Sequence, residues 1–192
     1  MDFSIEKAFI SSYLPVYEKE LLHISDLQFG QGYLSKADLD SYIINSNSHL
    51  LIVTYKNNLI GFSVFEICDF ETTCNQLRLE KIWFEKNIGQ FKTVCIRKHI
   101  AVHPDFEQMG IGNLLLEKGL QYIKNKAEVV ISMAWQNELT IPIEDLLIRH
   151  GFSKTIEFQD YWYQDSISKN YFCESCGHPP CSCSAVLYSL IM

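Results

Sequence analysis

A glycine-rich turn within residues 100–115 separates an apolar segment from an amphipathic one, and its residue types suit phosphate binding. The apolar segment ends at Val102, and Gly110 and Gly112 precede a run with helical spacing. The first turn of a helix leaves backbone N–H groups unpaired and carries partial positive charge. Glycine lets an anion approach those groups closely. We therefore predict a phosphate cradle here; the alternative is a tight turn without a ligand.

A second candidate site is a group of four cysteines within residues 173–183, namely Cys173, Cys176, Cys181 and Cys183. A Cys-x-x-Cys pair followed by glycine directs two thiolates at one tetrahedral ion, and the Cys-x-Cys pair supplies two more ligands. Four protein ligands leave no position for water, so we predict a structural zinc loop. Free thiols, a redox pair, and His178 in place of one cysteine remain alternatives.

Composition narrows the class of protein. The chain has 192 residues, 47% of them hydrophobic, which suffices for one sizeable core, so we expect a single domain over 1–192. The net charge of −7 disfavours nucleic acid as a partner and suits a cationic amine. No apolar run approaches the ~18 residues of a membrane span, and residues 1–7 lack the basic region and apolar stretch typical of a signal peptide. We expect a cytoplasmic protein without a membrane partner.

The periodicity of apolar residues and the positions of turn-forming residues predict the helices and strands that position these two sites. Helices are predicted over 14–27, 36–44 and 143–150, and a further helix follows the glycine turn. Strands are predicted over 3–8, 50–55, 59–68, 77–84, 93–102, 129–135, 155–163 and 185–191. Lys56-Asn57-Asn58 joins two of them as a hairpin turn. Strands that alternate with helices around one cradle indicate an α/β or α+β sheet.

This order of elements resembles the GNAT superfamily of acyl-CoA-dependent N-acyltransferases over nearly the whole chain. The family signature Q/R-x-x-G-x-G/A is matched by residues 107–112, Glu-Gln-Met-Gly-Ile-Gly, which follow Ala-Val-His-Pro. Residues 3–8 leading to Leu-Pro at 14–15, the Leu-Ile-Gly-Phe of 59–62, and His150-Gly151-Phe152 add support. Glu107 departs from the signature, and we expect its side chain to point outward.

The resemblance implies a mixed, mostly antiparallel twisted sheet of about six to seven strands flanked by about four helices. The zinc loop would then be inserted between the last two strands. Acetyl-CoA would be the co-substrate, with its pantetheine arm along the strand before the turn and its pyrophosphate on the backbone amides of the turn. The cofactor-binding residues implied are Ile100, Ala101, Val102, Gln108, Met109, Gly110, Ile111, Gly112 and Asn113.

The acid and base of such a reaction are harder to assign. The positions at which many relatives carry a proton-transfer group are Ile96 and Leu147 here. His99 and Tyr163 are our candidates for proton transfer, with a structural role as the alternative for each. His103, expected on the same strand face as His99, is a weaker candidate, and further candidates are Glu66, Glu80 and Glu138. Trp135 is expected to line the acyl site or the core.

Two functions follow. The first is an N-acetyltransferase that transfers an acetyl group from acetyl-CoA to a primary amine of an unidentified acceptor, by direct attack in a ternary complex. A lysine-like amine, with a pKa near ~10.4, must lose a proton before it attacks. The second is a catalytically inactive GNAT-like module that binds CoA or a protein and carries a structural zinc loop. We expect a small-molecule or peptide amine acceptor and a monomer or homodimer.

Overall fold

The computed structural model describes residues 3–137 and 140–192. Within them, seven strands form one sheet in the order β1-β2-β3-β4-β5-β7-β6. The strands are β1 (Phe9–Ser12), β2 (Ser48–Tyr55), β3 (Asn58–Asp69), β4 (Thr93–Val102), β5 (Val129–Gln136), β6 (Ser153–Phe158) and β7 (Ser184–Ile191). Each neighbouring pair is antiparallel except β4 and β5. The mixed, mostly antiparallel sheet expected from the resemblance is confirmed.

The same residues contain seven α-helices, more than the four or so expected. They are α1 (Glu18–Phe29), α2 (Lys36–Ile44), α3 (Phe70–Leu77), α4 (Lys81–Asn87), α5 (Ile111–Ile123), α6 (Glu144–Arg149) and α7 (Tyr163–Lys169). Short 3-10 helices cover Ile5–Lys7, Pro15–Tyr17 and Pro104–Phe106. In the described part of the chain, no helix is both long and apolar enough to cross a bilayer.

The β2–β3 hairpin shows how local sequence directs the sheet. Lys56 and Asn57 both adopt positive φ, 51° and 64°, as a tight hairpin turn requires. The β2 strand that enters this turn is covered on both faces. Leu50 and Ile52 pack in a cluster with α1 and α2, and the alternate residues of the strand pack against α5. Burial on both faces explains why β2 reads as an apolar run and not as an alternating one.

Helix α5 lies unusually close to the sheet because Gly119 faces β3. A Cβ atom at Gly119 would stand only 2.1 Å from Cε2 of the Phe65 ring. The missing side chain lets the helix backbone approach the ring directly, and both residues are buried. This contact packs the C-terminal half of α5 on β3, and nearer the helix N-terminus Ile111 and Leu115 pack against Gly61 of the same strand.

The parallel pair β4 and β5 separates partway along its length. The two strands pair only over residues 94–97 and 129–132. Beyond Arg97, β4 continues beside β3 alone, and beyond Ser132, β5 continues beside β7 alone. The sheet therefore contains an internal fork, which opens toward the N-terminus of α5.

The predicted strands over 3–8 and 77–84 are wrong. The first strand begins at Phe9, and residues 70–87 form α3 and α4. The Asp69 carboxylate accepts a hydrogen bond of 2.7 Å from the Thr72 backbone N–H, so it caps α3, and Arg78 ends that helix with a φ of 53°. The polar residues between these ends resemble a turn in sequence, but the helix buries Cys74 and Leu77 on one face.

The strand predicted over 155–163 also ends early. β6 stops at Phe158, Asp160 turns the chain with a φ of 52°, and Tyr163 is the first residue of α7. The Tyr161 hydroxyl donates a hydrogen bond to the Leu77 carbonyl, which ties this corner to α3. The cysteine-containing segment 173–183 then leads from α7 into β7.

Candidate functional site

A cavity of about 560 Å³ occupies the fork between β4 and β5. Residues 97–102 of β4 and 133–135 of β5 line its two sides. Phe29 and Tyr33 border it on one face of the sheet, and Ile143 and Leu146 border it on the other. The cavity is therefore a passage through the sheet, where ligands can approach one another from opposite faces.

Free backbone groups of β4 face this cavity. The His103 N–H donates to the Ile60 carbonyl of β3, at 2.9 Å. Backbone groups alternate in direction along a strand, so Ala101 also faces β3, while Ile100 and Val102 direct their N–H and C=O groups to the other side. On that side β5 has already diverged. The amides of Ile100 and Val102 are thus presented to a ligand and not to a strand.

The glycine turn presents a second set of free donors. Among the described residues, no protein acceptor takes a hydrogen bond from the backbone N–H groups of residues 108–113. Gln108 and Gly110 adopt positive φ, 58° and 85°, and Gly110 is the N-cap of α5. The side-chain oxygen of Asn113 lies 2.9 Å from His150 Nε2, which ties the first turn of α5 to the end of α6. These donors at a helix N-terminus form a cradle of the kind that binds phosphate.

Glu107 is exposed and borders the same cavity, in contrast to the expected outward position. Its Oε1 atom accepts a hydrogen bond of 2.6 Å from Gln28 Nε2 on α1. The carboxylate is therefore engaged by a side chain and does not occupy the amides that follow it. The cradle keeps its donors despite the departure from the signature.

The family model for the GNAT acetyltransferases matches residues 18–142, which include both the fork and the cradle. This chain belongs to the GNAT family. A search of curated protein sequences gives no match. The resemblance stated from the signature and the order of elements is therefore confirmed.

Solved GNAT structures share the fold at low sequence identity. The ribosomal-protein-S18-alanine N-acetyltransferase of Escherichia coli is 15% identical with a TM-score of 0.64, covering 96% of this chain and 93% of that one. A GNAT acetyltransferase of Elizabethkingia anophelis with acetyl-CoA bound is 19% identical with a TM-score of 0.62, covering 97% and 99%. NAA60 of Arabidopsis thaliana with acetyl-CoA is 12% identical with a TM-score of 0.66, covering 96% and 98%.

His99 lies in the cavity wall of this GNAT protein, and its side chain is 7% exposed. Burial lowers the pKa of His99 well below its usual value, and neighbouring cations add to the effect, so the imidazole is neutral at neutral pH. Its Nε2 atom lies 3.0 Å from the Tyr42 hydroxyl, and the rings of Phe29 and Tyr33 pack against it. The imidazole is therefore oriented at the cavity, and with so low a pKa it can accept a proton only transiently.

Two tyrosines stand near His99. Tyr33 contacts the His99 ring edge to face, with 5.7 Å between centroids, and Tyr171 packs on Tyr33 at 5.1 Å. Burial raises the pKa of both hydroxyls, so both stay protonated at neutral pH. Both residues line the cavity.

The remaining sequence candidates lie elsewhere. Tyr163 is 41% exposed on α7 and is not among the residues that line the cavity. Ile96 and Leu147 are buried in apolar clusters, as their side chains require. His103, expected on the strand with His99, caps the 3-10 helix after β4 instead.

Two of the carboxylates proposed from sequence, Glu66 and Glu80, are not brought to the cavity. Glu66 is buried in a polar network in which Asn45 and Lys98 contact its two oxygens at 3.0 and 3.3 Å. Glu80 is exposed at the start of α4. Glu138 lies outside the described residues. Trp135, by contrast, lines the cavity, one of the two positions expected for it.

The four cysteines of the loop converge on one point. Their sulfur atoms all lie within 4.8 Å of one another, with 3.8 Å from Cys173 to Cys183, 3.5 Å from Cys173 to Cys181 and 3.4 Å from Cys176 to Cys183. A disulfide needs about 2.05 Å between sulfurs. Four thiolates about 2.3 Å from a central zinc would stand about 3.8 Å apart. The spacing therefore fits a tetrahedral ion and excludes disulfides.

The cysteine cluster is also part of the cavity wall, which the sequence did not indicate. Cys173 and Cys181 line the cavity, and the cluster packs against Trp135 and Trp162. Burial raises the pKa of the Cys183 thiol to about 12, so a cluster of thiolates needs a bound cation. His178 is not in the cluster; its ring packs on Phe172.

Proposed function

We propose that this protein is an N-acetyltransferase that uses acetyl-CoA and acts on a primary amine by direct attack in a ternary complex. The observation that carries this proposal is the unbroken run of free backbone N–H groups at residues 108–113, at the mouth of the fork. The solved neighbours with acetyl-CoA bound support the choice of co-substrate. The ribosomal-protein-S18-alanine N-acetyltransferase, and an agmatine N-acetyltransferase that is 12% identical with a TM-score of 0.65 over 97% of this chain and 100% of that one, support an amine acceptor.

In this proposal the pyrophosphate of the coenzyme lies on the amides of the cradle, held by Gln108, Met109, Gly110, Ile111, Gly112 and Asn113. The pantetheine arm runs into the fork beside Ile100, Ala101 and Val102. The Ile100 N–H, which faces the cavity, then donates to the thioester carbonyl and stabilises the negative charge that forms on its oxygen as the amine attacks.

His99 is the proposed proton acceptor. The amine must lose a proton before it attacks, and the imidazole of His99 lies in the cavity wall with its Nε2 atom 3.0 Å from the Tyr42 hydroxyl. Because burial and nearby cations disfavour its charged form, His99 would pass this proton on and not hold it. The amine nitrogen loses its second proton as the tetrahedral adduct collapses, and the leaving thiolate takes up one proton. We assign this transfer to the Tyr33 hydroxyl, which would accept the proton from nitrogen as it gives its own to sulfur and so stays protonated. Tyr163 has no part in this scheme because it stands outside the cavity. The acceptor enters from the face bordered by Phe29 and Tyr33.

Binding of acetyl-CoA tests the proposal directly. Isothermal titration calorimetry with acetyl-CoA should show one binding site per chain. Gly110→Trp should abolish this binding because the indole side chain would fill the cradle. Gly32→Trp is the matched control: Gly32 also has a positive φ, 79°, and no atoms stand near its Cβ position. Unchanged affinity in Gly110→Trp would place the coenzyme elsewhere, and no binding by the wild-type protein would remove the enzyme proposal.

The second candidate is a CoA-binding module without catalysis. It is favoured by Ile96 and Leu147, which place buried apolar side chains where many relatives carry proton-transfer groups. Release of free CoA from acetyl-CoA in the presence of a panel of primary amines separates the two. His99→Phe should lower the rate at saturating substrate if the protein is an enzyme. Tight binding with no amine-dependent release would support the module.

We also propose that Cys173, Cys176, Cys181 and Cys183 bind a structural zinc ion. The sulfur spacing supports it, and zinc bound there would stabilise the wall of the cavity without taking part in the reaction. Elemental analysis of protein purified without chelator should give about one zinc per chain. Cys176→Ser should lower that content, whereas Cys68→Ser, outside the cluster, should not. Less than half an equivalent in the wild type would contradict the site.

The seven described cysteines are free and so favour a reducing compartment, which is why we place the protein in the cytoplasm. We propose one domain over residues 1–192, acting as a monomer or homodimer. Nucleic acid and membranes are not proposed as partners, since the net charge of −7 opposes both phosphate backbones and anionic lipid surfaces.

A further inference from the structure

Arg97 stands at the base of the fork, where β4 and β5 part. It belongs to the last pair of residues that the two strands share, opposite Ser132. Its side chain is 5% exposed and lines the cavity. A ligand that enters between the strands therefore meets this guanidinium at the closed end of its path.

The guanidinium has a single protein acceptor among the described residues. Its Nε and Nη2 atoms donate to one oxygen, the Ser132 hydroxyl, at 2.9 and 2.7 Å. An arginine carries five N–H donors, so within residues 3–137 and 140–192 the Nη1 edge has no partner. Of the carboxylates that the structure describes, Glu107 and Glu174 border the cavity, and neither forms an ion pair with Arg97.

Burying a cation without a counter-ion costs free energy. Buried charged side chains in proteins are therefore almost always paired with an opposite charge. Burial lowers the pKa of Arg97 to about 10, so the group remains charged at neutral pH. The surroundings do not compensate the charge, because Tyr33 is protonated and His99 is neutral. The arrangement is complete only when a ligand brings an anion to the cavity.

We propose that Arg97 binds a carboxylate of the substrate pair. This inference rests on the proposed acyl transfer and names the class of substrate for it. The carboxylate has two possible sources: the far end of a dicarboxylic acyl group, as in succinyl-CoA, or the acceptor, as in an amino acid. The two oxygens of a carboxylate can accept two parallel hydrogen bonds from a guanidinium and neutralise its charge. A thioester or a neutral amide cannot do both.

The position of Arg97 relative to Ile100 suits either source. Three residues of strand separate them, about 10 Å at 3.3 Å per residue. An arginine side chain covers part of that distance, so an anion two or three carbons from the reacting carbonyl reaches the guanidinium. The acceptor reaches it from the face of Tyr33, which borders the same end of the cavity.

The alternative role for Arg97 is structural: its hydrogen bonds to Ser132 would hold β4 and β5 together. A neutral donor such as glutamine could also hydrogen-bond the Ser132 hydroxyl, so a structural role does not require a cation. It also leaves the N–H groups of Nη1 without a use. Two variants separate the roles. Ser132→Ala removes these hydrogen bonds and keeps the cation, and Arg97→Gln removes the cation and keeps a donor.

The experiment compares paired substrates on the wild-type protein and both variants. The donor arm measures the affinity and transfer rate for succinyl-CoA against butyryl-CoA, which has the same chain length without the charge. The acceptor arm measures acetyl transfer to the twenty amino acids against their carboxamides. In one of the arms, the wild-type protein should favour the carboxylate by about 10- to 100-fold in kcat/KM. Arg97→Gln should lose that preference, and Ser132→Ala should keep it.

The results of the two arms show whether Arg97 binds a carboxylate and which substrate carries it. A preference in the donor arm assigns the carboxylate to the acyl group, and one in the acceptor arm assigns it to the amine. Acyl transfer with no preference in either arm overturns the inference and leaves the proposed function intact. An equal loss in Arg97→Gln for charged and neutral substrates also overturns it, since the residue then acts on the shared reaction or on the fold. Absence of thioester binding to the wild-type protein overturns both.

Discussion

Acid should destabilise the wild-type protein more steeply than a His99→Gln variant. His99 is buried, and burial is the main reason why its pKa is well below 6.5. The charges of Lys98, Lys169 and Arg97 lower it further. In the unfolded chain the same imidazole takes up a proton near pH ~6.5. Below that pH the unfolded state binds a proton that the folded state excludes, so the free energy of unfolding falls.

The size of the effect follows from this difference in proton uptake. The contribution of one such group changes by about 1.4 kcal/mol for each pH unit below the unfolded pKa, until the folded pKa is reached. Between pH 7 and pH 5, His99 should therefore cost about 2 kcal/mol. Glutamine can still hydrogen-bond the Tyr42 hydroxyl but does not titrate. His49, whose pKa burial lowers to about 4, is present in both proteins and cancels in the comparison.

Urea unfolding followed by circular dichroism at pH 7, 6 and 5 measures the difference. The stability of the wild-type protein relative to His99→Gln should fall by about 2 kcal/mol from pH 7 to pH 5, with most of the change below pH 6.5. Parallel pH profiles for the two proteins would refute the reasoning. They would mean that the folded state protonates residue 99 as readily as the unfolded chain does.

Gly119→Ala should lower the free energy of unfolding by about 1–3 kcal/mol, because the new Cβ overlaps the Phe65 ring. Phe65→Leu in the same chain should restore part of the loss, and a single variant as stable as the wild type in urea would contradict the close packing of α5. Asp69→Ala removes the acceptor for the Thr72 N–H and should cost about 1 kcal/mol of thermal stability, while Asp69→Asn should cost less. Equal melting temperatures for all three proteins would argue against this cap of α3.

Local signals predicted the parts of the fold that depend on neighbours in sequence. Strand 93–102 and helix 36–44 were predicted with the observed bounds, since each has clear periodicity and a turn or cap at its ends. The cradle was recognisable because glycine is needed at a left-handed N-cap. Segment 70–87 was not predicted, because α3 is stabilised by contacts with β3 and β4, and α4 by contacts with α3, that residue spacing does not record.

The site itself depends on distant pairings. Arg97 reads as one residue in a strand, and only the early divergence of β5 makes it the base of a cavity. The four cysteines are predictable as a group from their spacing, but their place beside Trp135 depends on how β7 pairs with β5. Tyr163 was predicted to lie in a strand, but an early turn at Asp160 ends that strand and places Tyr163 at the start of α7.

The separation of β4 and β5 creates two further sheet edges in the middle of the molecule. Edges at the rim of a sheet invite pairing with other chains, but these are enclosed by the walls of the cavity. A ligand that pairs with these inner edges of β4 and β5 must be narrow enough to enter the cavity and must carry its own amide groups. A bound molecule of that kind would complete the seven-stranded sheet as an eighth, non-protein strand, and would slow hydrogen exchange at residues 100 and 102.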